Sequence, residues 1–540
     1  MIFLISIKKR DQIKFTKLIK KCFRFKEAFF LWRNLFYYLD CMMKKPVLWI
    51  LFLVCIASIA IAQDPNAEKY ALKINAKITK KHLSILASDK YEGRETGKRG
   101  AEMAATYISG EFKKLKLLAP VNGSYLQQVS LIETSMFVNS FEVNKNVLNS
   151  GKDFKFNGSG EAKTIQATEL LFLASGTELE LKHDLSGKVV LINHDGQTGE
   201  IAKRLSFLKS KEPALILVIN SEQNNSSLSH NSGRSLRVKN GSRESFPIKV
   251  YSPPVIQINP EIANLILKNS GFNYEKPTSI NSPILIKAEL KLSYGPVQKE
   301  VLSSNVLGYL EGTDLKEELL VYSAHYDHIG LNSDGGIDKV FNGADDDGSG
   351  TSGVLAIARA FAKAKKEGNS PRRSILFMMF TGEEKNLLGS EYYSLNPVFP
   401  MANTITNLNI DMIGRTDFIY RNTPDSTNYL YLVGTDKLST DLHKISDKAN
   451  AIYTKLKLDY RHNAKDDPTQ IYYWSDHYNF AKNGVPIIFY YNGKHEDYHK
   501  GSDEVNKINF NLLSKRAQLA YYTGWDLVNR DNRPVMDVKK

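Results

Sequence analysis

Apolar positions along this chain fall in blocks of differing period. From Asn66 to about Leu118 they recur at helical spacing through HLSILASD and AEMAATYISGEFKKLKL, with the Gly- and charge-rich turn EGRETGKRG between them. NGSYLQQVSLI then reads as a turn into a strand. From about 135 to 290 the runs are short and β-branched (ATELLFLAS, GKVVLINH, PALILVINS, FPIKVYSPPVIQI), with turns between them and one helix near Thr198–Ser210. This predicts a β-rich insert, and its polar stretch SEQNNSSLSHNSGRS predicts a surface loop. After Ser303, nearly continuous apolar strands (SNVLGYLEG, ELLVYSAH, SILFMMF, TNLNIDM, VPIIFYY) alternate with helices near Gly350–Lys366, Leu387–Ser394, Ser439–Lys455 and Lys507–Asn529. Strands buried on both faces between helices predict an α/β fold, with a mostly parallel central sheet covered by helices on both sides.

A length of 540 residues calls for more than one domain. The pattern divides it into 63–134, the N-terminal part of the α/β domain; 135–290, the β-rich insert; and 291–540, the main part of the α/β domain. Residues 44–62, KKPVLWILFLVCIASIAIA, have the form of a secretory signal cleaved near Ala62. Residues 1–43 are expected to be an upstream extension from a mis-called start, with the true start at Met43. A basic membrane-surface segment with an uncleaved anchor is the weaker alternative, because the apolar run is short for a span. The expected product is exported, to the periplasm or beyond, with no stable membrane insertion of the mature chain. Lipid attachment at Cys55 is disfavoured by the bulky Val54 before it.

Composition changes the picture in two places. Residues 1–62 hold twelve Lys/Arg against three acids, so +9 of the formal +14 lies there and +5 remains on 63–540. The high overall charge therefore makes no case for nucleic acid. All three cysteines (Cys22, Cys41, Cys55) also fall in that segment. Any metal held by the mature chain must use His, Asp and Glu.

Such residues gather where the predicted strands end, which is where ligands bind in open α/β sheets. His325 closes LLVYSAH, with Asp327 two residues on as a candidate acceptor for its other ring nitrogen. Asp345, Asp346 and Asp347 stand together before GSGTSG, whose small residues would let a helix approach the sheet. Glu383 and Glu384 follow SILFMMFTG, Asp411 ends LNID, and His499 lies after VPIIFYYNG beside His495. Each has a bland reading as a helix-start acid or surface residue, and composition does not choose between His495 and His499. Taken together they can supply one His–carboxylate pair for each of two zinc ions, a bridging aspartate, and a glutamate left over as general base. His328 takes no ligand role in this scheme, since its side chain is expected to turn toward the loop.

SAHYDHIG, NGADDDGSG, TGEEKNLLGSEYY, NIDMIG and YHKGSDE resemble, in order and placement, the zinc aminopeptidases and related exopeptidases of family M28, over roughly residues 70–535. LASDKYEGRETGKRGAEMAATYI is similar to the opening of bacterial members. The resemblance implies a zinc exopeptidase fold acting on peptide substrates. It implies two Zn²⁺ per chain: one on His325 and Asp411, the other on Glu384 and His499, with Asp346 between them. It further implies Glu383 as general base and acid, Asp327 as partner of His325, Ser475-Asp476-His477 near the pocket, and the insert as a protease-associated domain that walls or gates the cleft. Ser475 lacks the surrounding G-x-S-x-G of a serine hydrolase. Glutaminyl-peptide cyclisation, carboxypeptidase action (with Arg415 or Asp417 as candidate terminus-binding groups) and a non-catalytic peptide-binding module are the rival readings. Tyr472, Tyr473 and Trp474 are open between pocket wall and core.

Overall fold

The computed structural model describes residues 63–173, 183–193, 198–220, 234–239, 252–268, 270–271, 283–331 and 338–538. The readings of residues 1–62, and most of the polar loop in the insert, lie outside them. Asn66–Lys540 forms one compact unit. Its early elements include helices α1 (Ala76–Leu86) and α2 (Arg99–Lys114). The Asn75 side chain accepts from Ile78 N, capping α1, and between the helices the turn Asp89–Arg94 packs inward.

Two long strands, β1 (Leu126–Val143) and β2 (Ile284–Leu310), pair antiparallel, and β2 joins the strands that precede it in sequence to those that follow it in one sheet. Apolar clusters gather around Phe141, Phe172, Leu217 and Ile256, and around Val190, Leu208 and Val218. Beyond β2 come β3 (Leu315–His325), helix α3 (Gly350–Lys366), β4 (Arg373–Phe380), β5 (Thr404–Ile410), β6 (Tyr429–Val433), β7 (Lys457–Asp459), β8 (Ile487–Tyr491) and helix α4 (Phe510–Asn529). Their order in the sheet is β7-β6-β8-β5-β3-β4-β2.

The middle of the sheet is parallel: β3 pairs parallel with β4 and β5, and β5 with β8. Antiparallel neighbours flank it, β2 against β4 and β6 against β8. Every residue of β4, β5, β6 and β8 is buried, as expected of strands covered on both faces. Each large side chain there contributes about 1.5–3 kcal/mol by leaving water. The consequence for function is geometric, since four parallel strands end on one edge and deliver their succeeding residues to one place.

Helix α3 sits very close to that edge. A Cβ on Gly350 would lie 2.1 Å from Ile410 O and 2.4 Å from Asp347 Oδ1, so only glycine fits there. Asp347 Oδ1 accepts from Gly350 N at 2.8 Å, placing a carboxylate at the helix start. The triple aspartate is thus pinned between a strand end and a helix.

Candidate metal centre

His325 ends β3 and Asp411 comes directly after β5. Gly382 after β4 has φ 72°, a left-handed turn that directs Glu383 and Glu384 back over the sheet edge. His499, in the loop after β8, has φ 58°. These strand ends bring the predicted residues together. His325 Nε2 lies 3.2 Å from Asp346 Oδ1, 3.6 Å from Asp411 Oδ1 and 3.7 Å from Glu383 Oε2. His499 Nε2 lies 3.0 Å from Asp346 Oδ2 and 3.3 Å from Glu384 Oε2. The two oxygens of Asp346 therefore face two different nitrogen–carboxylate groups.

The remaining acids of the cluster hold backbone. Asp347 accepts from Gly350 N, Met412 N and His325 N, and Asp345 accepts from Gly414 N while lying 3.2 Å from His495 Nε2. His495 thus reaches Asp345, whereas His499 reaches the Asp346–Glu384 pair. Asp327 lies 3.7 Å from His325 Nδ1 through its carboxylate and 3.1 Å through its carbonyl oxygen. Its carboxylate accepts from Glu383 N at 3.1 Å and Thr96 Oγ1 at 2.7 Å, so it also fixes the start of the glutamate loop.

Several supporting residues escaped the sequence reading. His328 Nδ1 lies 2.7 Å from Glu384 Oε1, and His328, Asp346 and Glu384 form one of two possible metal-holding groups among the described residues, the other being His325, Asp346 and Asp411. Asp503 Oδ2 accepts from the backbone of both Asp345 and Asp346. Arg94, only 1% exposed, donates to the carbonyls of Leu86, Tyr326, Asn342 and Gly343. The sequence held signals for the first two, since His328 and Asp503 sit inside the quoted motifs; for Arg94 it held only a charge-rich turn.

Ser475 Oγ donates to Asp411 Oδ2 at 2.7 Å and accepts from Asn409 Nδ2, so it orients a carboxylate. His477 Nε2 donates to Tyr472 O, its ring stacks on Phe489, and its Nδ1 makes no hydrogen bond. The serine and histidine thus form no proton relay. Arg415 pairs with Asp497 at 2.8 Å, and Asp417 accepts from Tyr431 Oη and from the backbone of Ile419 and Tyr420.

The donor set suits divalent zinc, being imidazole nitrogen and carboxylate oxygen. Asp346 Oδ2 and His325 Nε2 are buried yet make no hydrogen bond, although ionic partners stand near them, as expected of atoms aimed at cations, one on each side of Asp346. The metal-free electrostatics point the same way. Burial, together with the charges of Asp411 and Glu384, pushes Glu383 well above the usual carboxylate range against the pull of His325. Burial opposes a charged His325, but Glu383 and Asp411 hold it well above its usual pKa. Crowded buried carboxylates of this kind become tolerable beside cations.

Residues 305–523 match Peptidase family M28. Aminopeptidase YwaD of Bacillus subtilis is 24% identical over 248 residues, which is 43% of this chain and 46% of that protein, so the match spans less than half of the relative's length. Among solved structures, a zinc aminopeptidase from Bacillus subtilis aligns over 86% of this chain and 98% of its own at 18% identity and TM-score 0.53. An aminopeptidase from an Aneurinibacillus strain aligns over 88% and 98% at 16% identity and TM-score 0.51. The architecture is therefore that of the zinc aminopeptidases, a mixed α/β fold around a mostly parallel central sheet. The family M28 likeness is thus carried by residues 305–523, the part of the chain that holds every residue of the candidate centre.

Proposed function

We propose that this chain is a two-zinc aminopeptidase that removes N-terminal residues from peptides. The observation that carries the reading is Asp346, whose Oδ1 faces His325 Nε2 at 3.2 Å while its Oδ2 faces His499 Nε2 at 3.0 Å. His325 and Asp411 would hold one ion, Glu384 and His499 the other, and Asp346 both. When bound, the zinc ions supply Lewis acidity to the scissile carbonyl and acidify the attacking water.

The chain's own residues supply the rest. Glu383 takes a proton from the water as it adds to the carbonyl carbon, then returns it to the amine nitrogen as the C–N bond breaks. Its pKa is raised by burial and by neighbouring negative charge, so cations in the site would bring it toward the range a base needs. Asp327 anchors the Glu383 backbone, Ser475 orients Asp411 and His328 orients Glu384.

The amino-terminal direction is supported by likeness to proteins named as aminopeptidases. We assign the insert at 135–290 as a protease-associated domain walling the cleft. Its strand Ser235–Val238 supports this, packing Leu236 and Val238 on Leu388 just after the Glu383–Lys385 turn. The signal-like segment 44–62 supports export, and no helix among the described residues is long and apolar enough to cross a membrane.

The test is Glu383→Gln on zinc-loaded protein, with release of free amino acids from leucyl peptides followed beside a glutaminyl peptide. The expected outcome is a loss of about 10²–10⁴ in turnover with the metal retained. Near-normal rates would exclude Glu383 as the base. Cyclisation of the glutaminyl peptide without leucine release would replace the hydrolytic reading.

A further inference from the structure

The loop that delivers His499 also carries a cation that no carboxylate among the described residues neutralises. Lys494 Nζ lies 4.1 Å from the centre of the Trp474 ring and 4.9 Å from that of Tyr498. Tyr498 in turn stacks on His499 with centroids 3.8 Å apart, and Trp474 precedes Ser475, which holds Asp411. The ammonium thus lies between two aromatic rings, one stacked on His499 and the other next in sequence to Ser475. Trp474 is 40% exposed, so this stack opens to solvent.

Lys494 itself is partly buried, and among the described residues it has no acidic partner within ion-pair distance. Two other cations of this region, Arg415 and Lys507, are already used, both by Asp497, Lys507 at 2.7 Å. Burial lowers the Lys494 pKa, and the charge of Asp346 offsets only part of that. A flexible lysine free to leave for water would gain full hydration, and two aromatic faces hold this one at the site instead.

We propose that Lys494 is a specificity residue that binds a substrate carboxylate beside the scissile bond, so that peptides bearing one there are the preferred substrates. The inference rests on the peptidase reading above. The carboxylate has two possible sources: an acidic side chain on the residue removed, or the free C-terminus of a dipeptide. Either forms a charge-assisted contact with the ammonium that an amide of the same shape does not.

Two matched pairs distinguish the sources on the zinc-loaded full chain: aspartyl- against asparaginyl-p-nitroanilide, and leucyl-glycine against leucyl-glycinamide. In at least one pair kcat/KM is expected to favour the carboxylate member by about tenfold or more, the scale of one charged hydrogen bond. Lys494→Met should reduce that ratio to about threefold or less, and Lys494→Arg should retain most of it. Raised salt should shrink the preference too, since the ammonium is partly solvated. Calorimetric titration of the Glu383→Gln chain with the same four compounds reads binding without turnover, and the carboxylate member should bind about tenfold tighter only while Lys494 is present.

Ratios below about twofold in both pairs, or a ratio that survives Lys494→Met, overturn the proposal. If the loaded wild-type chain cleaves none of the four, the peptidase reading falls, while the titration still decides the role of Lys494.

Discussion

Arg94→Met removes a side chain that ties three segments of the site together. The guanidinium donates to Leu86 O at 2.8 Å, Tyr326 O at 2.7 Å, Asn342 O at 2.7 Å and Gly343 O at 2.9 Å, joining the end of α1 to the loops flanking His325 and the triple aspartate. Burial disfavours its charge, and Asp346, Asp327, Asp347 and Asp503 favour it. Methionine fills much of the volume but leaves four carbonyls without this donor in a dry place. Breaking one partner of a buried charged network costs about 3–5 kcal/mol. The loss should be local, because β3 and β5 are held by their own ladders. Native-state hydrogen exchange reads it directly at the amides of Asp345 and Asp346, which donate to Asp503 Oδ2, and of His328, which donates to Arg94 O. A loss of about 3 kcal/mol corresponds to exchange about 150-fold faster at those amides. The amides of Leu320–Tyr322 in β3 serve as the internal reference. Exchange within about threefold of wild type at Asp345 and Asp346 would mean that Arg94 does not hold these loops in place.

Gly350→Ala should destabilise by about 1–3 kcal/mol or more, since its Cβ would stand 2.1 Å from Ile410 O, and an unchanged thermal midpoint would contradict the close approach. His328→Phe removes the partner of Glu384 and should weaken the metal on that side by about 10–100-fold in a competition titration, with binding on the His325 side retained. Burial depresses the His477 pKa to about 3, below an unfolded value near 6.5, so this group costs nothing above pH 6.5 and removes stability as pH falls from there toward 3. At pH 5 the loss is about 2 kcal/mol, and His477→Gln, which can still donate to Tyr472 O, should show a correspondingly shallower fall in stability between pH 7 and 5.

The strand–helix alternation after Ser303 was legible because strands buried on both faces read as unbroken apolar runs, and α3 spans Gly350–Lys366 as the pattern predicted. β6, YLYLV, went unread among aromatic residues, and β7 is only three residues long. The long helix expected over Ser439–Lys455 divides at Ala449 into an α-helix and a wider turn, and the last helix begins at Phe510 rather than near Lys507. Antiparallel flanks were also unread, since apolar continuity reports burial and carries no strand direction. At the site, the residues just past the strands were visible because strand ends point there. The contacts of Arg94, Thr96 and Asp503 were not, because each reaches across the fold from more than 150 residues away in sequence. Trp474 and Tyr473 prove exposed at 40% and 50%, while Tyr472 packs against the core.

In the proposed two-zinc site, Asp346 would stand between the two ions. Metal content measured beside activity on one preparation of the full chain, through stepwise chelation and zinc restoration, tests it without altering any residue. Two zinc ions per chain are expected at saturation, with amino-acid release lost as they are withdrawn and recovered when they return. Metal-free protein that hydrolyses the same peptides at the same rate would contradict the two-zinc reading.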